Sequence, residues 1–365
     1  MPQMDDPGLG KVVLEDLRRT DVYGHFRRDL EELYSFYLTE ERREQLAAMG
    51  WVHRVVSFWV WLFKSLMLKL APARRLALLG GLILLLFGGL SWQQGDHQMR
   101  LDFRILGTVV MLAVLMLELK DKLLAKDEIE VARQVQLALL PQQHPHLAGW
   151  TIWSYTRPAN DVGGDLVDYL ELEGGRLGIA LGDVAGKGLG AALLMAKLQA
   201  TLRAAAPDAP SLAALGARMN AILLRNGIEN RYATLFYFEI SPESGAVRYL
   251  NAGHNPALTL KNGGIESVGA ASPPLGMLTN ARFVEDKLEL APGDLLVAYS
   301  DGLTEAHSET DEEFGVGRLT DLVKGLRGLP ADEVGARLMR EIDRFLGSAR
   351  PYDDLSLVVV TRPAL

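Results

Sequence analysis

The run from Asp161 to Gly190, DVGGDLVDYLELEGGRLGIALGDVAGKGLG, constrains this chain more than any other stretch. Asp165 follows Gly163-Gly164, and Asp183 follows Gly182 at the end of the apolar run Leu177 to Leu181. Such a run reads as a buried strand, and a turn of small residues after it exposes both a carboxylate and the neighbouring backbone carbonyls. Two further acidic loci share this setting: Ser300-Asp301-Gly302 after Leu295 to Tyr299, and Asp353-Asp354 before Leu355 to Val360. One Asp-Gly after a strand is ordinarily only a turn, because both are default turn residues. Four carboxylate loci at strand ends, far apart in sequence, suit oxygen ligands that only the fold brings together. Oxygen ligation favours Mg²⁺ or Mn²⁺ over zinc.

At 365 residues the chain is long enough for at least two parts. It has no cysteine, which excludes a disulfide framework and a thiolate metal site and fits a reducing compartment. Residues 1–50 carry net charge −4 and residues 51–126 net +6, which leaves −10 for the rest of a chain whose total is −8. An acidic carboxy-terminal part argues against a nucleic-acid partner, and the basic middle calls for a membrane explanation.

Gly10 to Met49 is dense in charge, with Tyr23, Phe26, Leu30, Leu33, Tyr34, Phe36 and Tyr37, and spacings of three and four among them predict an amphipathic helix or helix pair without ligand-site chemistry. Trp51 to Leu70 mixes Trp, Phe and Leu with His53, Arg54, Lys64 and Lys69, a composition suited to a helix lying in a membrane interface. Leu76 to Trp92 is an uncharged run of 17 residues, close to the shortest that crosses a hydrocarbon core of about 30 Å. A polar loop, Gln93 to Asp102, leads to a second apolar run, Phe103 to Leu117. Together they predict a transmembrane hairpin in the inner (cytoplasmic) membrane. Lys64, Lys69, Arg74 and Arg75 before it and Lys120, Lys122 and Lys126 after it place both ends in the cytoplasm. No apolar stretch near Met1 suggests a cleavable signal peptide. Glu118 to Leu140 then reads as a charged helix with an apolar seam that ends at Pro141 and can pair two copies as a homodimer. The expected parts are 1–75, a cytoplasmic or interfacial helical region; 76–117, the hairpin; 118–149, a linker helix; and 150–365, a catalytic domain.

Beyond Trp150 short strands dominate, joined by turns such as SPESG and KNGG, with helices near 189–206, 211–226, 317–326 and 331–345. The periodicity gives an α+β fold with antiparallel sheets and helices packed outside.

With Asp165, Asp183, Asp301 and Asp353 in this order, the sequence resembles the metal-dependent serine/threonine phosphatases of the PPM superfamily, most closely their SpoIIE/RsbU-like branch. The resemblance rests on VGGDLVD, GDVAGKG, NAGHNP at Asn251 to Pro256, SPPLG at Ser272 to Gly276, YSDGLTEA at Tyr299 to Ala306 and YDDLSLVVV at Tyr352 to Val360, and spans about residues 128–362. It implies two stacked β-sheets flanked by helices and a site holding two divalent cations, Mn²⁺ or Mg²⁺. Asp165 would be their shared ligand, Asp183, Asp301 and Asp353 would complete the shells partly through waters, and the Gly164 or Val184 carbonyl would add an oxygen. Asp354 would support these ligands. The activity implied is hydrolysis of phosphoserine or phosphothreonine on a protein, with an anti-sigma-factor antagonist as the substrate suggested by analogy. ARQVQLALLP, at the end of the linker helix, matches an ending that family relatives carry there.

The histidine and arginine that contact substrate in the eukaryotic branch are absent; Ala185 and Asn160 stand in those regions. On residue type alone His254 is the candidate proton donor, set against a structural role in its glycine-rich turn. Lys187 and Arg157 are candidates to touch phosphate, set against plain surface roles. GDVAGKG lacks the Walker spacing, so nucleotide binding is set aside. A catalytically silent scaffold and a membrane sensor are the competing functional readings; no polar pocket is evident in residues 10–70 to favour the sensor.

Overall fold

The computed structural model describes residues 48–94, 97–225, 231–242, 244–262, 264–269, 272–349 and 351–364, together with 42, 45 and 46. The chain divides into two compact units, Met1–Leu123 and Leu124–Leu365. Nearly all of the helix expected over Gly10 to Met49 lies outside the described residues.

In the first unit, helix α1 (Trp51–Lys69) is followed by α2 (Pro72–Phe87), whose proline stands at the first helical position, where a missing N–H costs nothing. Strands β1 (Gly89–Gln94) and β2 (His97–Asp102) then pair as an antiparallel hairpin. Helix α3 (Arg104–Leu139) follows, and its residues from Leu124 onward belong to the second unit. Arg74 on α2 pairs with Glu118 at 2.8 Å and Asp121 at 2.7 Å on α3, so the two helices run side by side.

This corrects the expected transmembrane hairpin in detail. The first apolar run is helical only to Phe87, because Gly88-Gly89 interrupts it, and Gly89 to Trp92 enter a strand. The polar loop is largely β-hairpin. The second apolar run and the charged linker form one 36-residue helix. Among the described residues no helix is long and apolar enough to cross a membrane: α2 has 16 residues, and α3 turns charged at Glu118, Lys120, Asp121 and Lys122.

The second unit holds two five-stranded antiparallel sheets. The first has the order β10-β7-β6-β5-β4, from β4 (Leu166–Glu171), β5 (Leu177–Val184), β6 (Ala233–Ile240), β7 (Ala246–Ala252) and β10 (Asp286–Glu289). The second has the order β3-β12-β11-β8-β9, from β3 (Thr151–Arg157), β8 (Ala257–Lys261), β9 (Gly264–Val268), β11 (Leu295–Tyr299) and β12 (Leu355–Thr361).

Alternation along the strands explains the layers. Ile179, Leu181, Phe236 and Phe238 of one sheet and Leu296, Ala298, Val358 and Val360 of the other form the core between them. Ala180, Leu235 and Tyr237 point the other way, onto helices α4 (Leu189–Ala205) and α5 (Leu212–Arg225). Leu295, Val297, Leu357 and Val359 point onto α7 (Gly315–Lys324) and α8 (Ala331–Leu346), while the short α6 (Asp301–Thr304) follows β11 directly. The expected antiparallel α+β sandwich is therefore observed. β9 is a strand not foreseen from the sequence.

Candidate metal centre

Register brings the acidic loci to one end of the sandwich. Leu166, directly after Asp165, pairs with Gly182, directly before Asp183. Tyr299, two residues before Asp301, pairs with Leu357 near the start of β12, four residues after Asp353. Ser300 and Ser356 tie these two chain ends together: Ser300 N–H donates to the Ser356 carbonyl at 3.0 Å and Ser356 N–H to Ser300 Oγ at 2.9 Å.

Asp165 is buried, and its Oδ2 has no hydrogen-bond partner. Leaving a buried carboxylate oxygen unmatched is costly, so the position calls for a cation or a proton. Burial first, then the Asp183 and Asp354 carboxylates, pushes Asp165 well above the usual carboxylate range, with the Ser356 and Ser300 hydroxyls opposing. Asp183 is pushed up to about 7 by burial, then by Asp301, Asp353 and Asp354. Asp301 is raised by burial and Asp353, with the Gly302 N–H and Lys187 opposing. The carboxylates that raise Asp165, Asp183 and Asp301 in this way share one patch of negative potential.

The backbone is shaped to match. A Cβ at Gly164 would stand 2.9 Å from the Val184 carbonyl oxygen and 3.4 Å from Asp183 Oδ1, so only glycine lets the Asp165 loop approach the end of β5. Gly302 likewise lies against the Asp353-Asp354 peptide: a Cβ there would stand 3.0 Å from the Asp353 carbonyl carbon. Among the described residues no three His, Cys, Asp or Glu side chains stand together as a ready-made metal site. The donor set fits a hard cation all the same, because Mg²⁺ keeps several waters and needs only one or two carboxylates with added carbonyl oxygen. The unmatched Asp165 Oδ2 and the Gly164–Val184 approach supply that arrangement.

The remaining candidates separate clearly. Asp354 is an anchor: Oδ1 accepts the Ala159 N–H at 2.8 Å, and Oδ2 accepts the Gly164 N–H at 2.5 Å and the Asp165 N–H at 3.4 Å. Lys187 stands over the cluster, with Nζ 3.2 Å from Asp353 Oδ2, donating to the Tyr352 carbonyl at 2.8 Å and 4.0 Å from the centre of the Tyr352 ring. Arg157 does not join the cluster; its Nη1 pairs with Asp343 on α8 at 2.9 Å. His254 is buried beside β6, with Nδ1 2.8 Å from Thr234 Oγ1 and its backbone N–H on Asn251 Oδ1, also at 2.8 Å. Burial lowers its pKa to about 4, which favours the neutral imidazole near pH 7. Its Nε2 is buried without a hydrogen-bond partner. Sequence reasoning assigned no role to Gln136, whose amide meets the Gly163 peptide; its place in ARQVQLALLP was the available signal.

The family profile for Stage II sporulation protein E (SpoIIE) matches residues 173–363. Protein IcfG from Synechocystis sp. (strain ATCC 27184 / PCC 6803 / Kazusa) is 31% identical over 263 residues, 64% of this chain and 41% of that protein. Phosphoserine phosphatase RsbP from Bacillus subtilis (strain 168) is 26% identical over 245 residues, 66% of this chain and 59% of that one. The chain thus spans about half the length of these relatives. Among solved structures, that of the RsbU and RsbW domains of Rv1364c from Mycobacterium tuberculosis superposes with a TM-score of 0.52 at 27% identity, covering 60% of this chain and 63% of that one.

Proposed function

The chain belongs to the Stage II sporulation protein E (SpoIIE) family, and from that premise we propose that its second unit is a metal-dependent phosphatase hydrolysing phosphoserine or phosphothreonine on a protein. The observation that carries this reading is the buried Asp165 with an unmatched oxygen, next to the Gly164 that closes on the Val184 carbonyl and within the field of Asp183 and Asp354. Asp165 is the shared ligand in this account. Asp183, Asp301 and Asp353, with the Gly164 or Val184 carbonyl, hold the rest of two Mn²⁺ or Mg²⁺ ions. Bound divalent cations supply a hydroxide nucleophile near neutral pH and neutralise phosphate oxygens.

The protein's own contribution is positioning. Asp354 fixes the Asp165 loop by its main-chain N–H groups. Gly164 and Gly302 allow the chain segments to approach. Lys187, at the rim beside exposed Tyr352, is placed to meet phosphate oxygens, held meanwhile by Asp353. A phosphorylated protein of the anti-sigma-factor-antagonist kind is the proposed substrate, on family analogy and on the printed name of the relative RsbP.

The first unit is proposed to hold the chain at the inner face of the cytoplasmic membrane, with dimerisation through α3. Support comes from exposed apolar side chains, among them Trp51, Trp59, Ile83, Phe87, Ile105 and Leu112, bordered by Lys64, Lys69, Lys120 and Lys122. Sedimentation with anionic vesicles tests it: retention of the protein in the supernatant contradicts membrane attachment.

The catalytic reading is tested by calorimetric titration of the chain with Mn²⁺ alongside p-nitrophenyl phosphate hydrolysis. Two bound ions per chain and turnover that follows their occupancy are expected. Turnover indifferent to chelator, or a folded protein that binds no Mn²⁺, contradicts it.

A further inference from the structure

The motif SPPLG, at Ser272 to Gly276, takes no part in the carboxylate cluster, yet it leads into a turn beside it. Leu275 and Ala233, at the start of β6, exchange backbone hydrogen bonds: the Ala233 N–H donates to the Leu275 carbonyl at 3.0 Å and the Leu275 N–H to the Ala233 carbonyl at 2.8 Å. Gly276 follows with φ +82°, a left-handed conformation that favours glycine, and a Cβ there would stand 3.3 Å from Leu223 Cβ and 3.9 Å from Tyr232 Cα. Asn220, buried on α5, holds the turn with both ends of its amide. Its Oδ1 accepts the Gly276 N–H at 2.7 Å, and its Nδ2 donates to the Leu278 carbonyl at 3.0 Å.

What this turn presents to solvent is apolar. Met277 and Leu278 are exposed by 44% and 51%, and Tyr232 beside them by 37%. Single exposed apolar side chains are ordinary, but neighbouring ones on a turn fixed from beneath form a surface that need not be ordered on binding.

This surface adjoins the carboxylate end of the sandwich. The Tyr232 carbonyl accepts the Ala185 N–H at 2.9 Å, one residue beyond Val184. Arg231, next along, donates Nη1 to the Ala185 carbonyl at 3.4 Å and fills the space that two glycines leave: a Cβ would stand 2.6 Å from Nη1 at Gly186 and 3.1 Å from Nη2 at Gly190. That acceptor is neutral, so the contact leaves the positive charge uncancelled. Lys187 lies on the same turn. An apolar patch, two cationic side chains and the carboxylate cluster thus follow one another along the surface. A polypeptide with apolar side chains beside a phosphoserine matches that order.

We propose that Tyr232, Met277 and Leu278 form the docking surface for the chain that flanks the phosphoserine of the substrate, and that they select apolar neighbours of the phosphorylated residue. The inference rests on the phosphatase reading above.

The test uses the full chain with Mn²⁺ and two short phosphoserine peptides, one with Leu and Ile on both sides of the phosphoserine and one with Ser and Gly there. Wild type is compared with Met277→Asp, Leu278→Asp and, as a remote control, Val316→Asp, which is also exposed but lies on α7. The expected wild-type kcat/KM is about tenfold higher for the apolar peptide, chiefly through KM, as burial of one or two apolar side chains provides. Either acidic variant at the turn should abolish that preference, and Val316→Asp should keep it. Should Leu278→Asp fail to fold, Leu278→Ser decides.

Equal turnover of the two peptides by wild type, or a preference that survives in folded Leu278→Asp, overturns the docking surface and leaves the phosphatase standing. So does a change in oligomeric mass with Leu278→Asp at unchanged preference, which marks the patch as an interface between copies. If wild type hydrolyses neither peptide nor p-nitrophenyl phosphate, the phosphatase reading falls instead. Fluorescence anisotropy of the labelled peptides then decides the docking surface alone: tighter binding of the apolar peptide by wild type, lost in Leu278→Asp, upholds it, and equal binding overturns it.

Discussion

Asp354 accepts the Gly164 N–H at 2.5 Å across 190 residues of sequence. That hydrogen bond joins the first acidic motif to the last and fixes the separation of the two strand ends that carry the clustered carboxylates. It also explains why two aspartates stand side by side: Asp353 faces Lys187 at the rim, and Asp354 turns inward onto main-chain N–H groups.

Replacing Asp354 by Ala strands the buried Gly164 N–H, at a cost of about 1–3 kcal/mol, and the half-buried Ala159 N–H, at less. A loss of roughly 3 kcal/mol in urea unfolding is expected, together with weaker Mn²⁺ binding. Asp354→Asn keeps one acceptor oxygen and falls between. An Asp354→Ala protein with wild-type stability contradicts the anchor role.

The crowded carboxylates make the metal-free protein sensitive to pH. A raised folded-state pKa means that Asp183 contributes most stability below its ordinary value near 3.8 and loses it as pH rises through about 7; Asp165 shifts in the same direction. His254 runs the other way: its lowered pKa gives stability above its ordinary 6.5 that is lost as pH falls towards about 4. The contrast between wild type and Asp183→Asn isolates the carboxylate. In chelator at pH 8 the variant should melt higher than wild type, with the gap closing towards pH 5. With Mn²⁺ the order should reverse. A variant less stable at pH 8 without metal refutes this.

His254 is buried and bonded to Thr234, so its removal should affect stability rather than proton transfer. His254→Ala should cost about 1–3 kcal/mol through the unpaired hydroxyl and the space left behind. The pH dependence of kcat at saturating Mn²⁺ should keep its shape. A lost acidic or basic limb would restore His254 to the chemistry.

Lys187 is half exposed, so its pair with Asp353 adds little stability. Lys187→Met should leave the melting temperature within about 1–2 °C of wild type and raise KM for a phosphoprotein while kcat changes less. Unchanged KM assigns Lys187 to the surface.

Much of this site could be read from the chain because its chemistry is local in sequence: each carboxylate sits near the end of an apolar strand, and Asp165, Asp183 and Asp301 each stand beside a glycine. The strand pattern likewise carried the antiparallel α+β class, whereas the two stacked sheets, with Ile179 and Leu181 between them and Ala180 facing the helices, were implied by the family resemblance. What stayed hidden depends on contacts across the fold. Whether Asp354 or Asp353 turns inward is set by main-chain groups near Asn160, and the burial of His254 by the neighbouring strand β6. Gly88-Gly89 lies inside an apolar run whose composition still reads as helix, so the hairpin after α2 was masked by hydropathy.

The central claim is tested most directly by phosphate release from a phosphoserine protein, using the full chain beside Asp165→Asn and Asp301→Asn, with Mn²⁺ and with chelator. The account predicts release that requires Mn²⁺, stops with chelator and is absent from both folded variants. Release that survives in Asp165→Asn, or a folded wild type that releases none with Mn²⁺ or Mg²⁺, contradicts it.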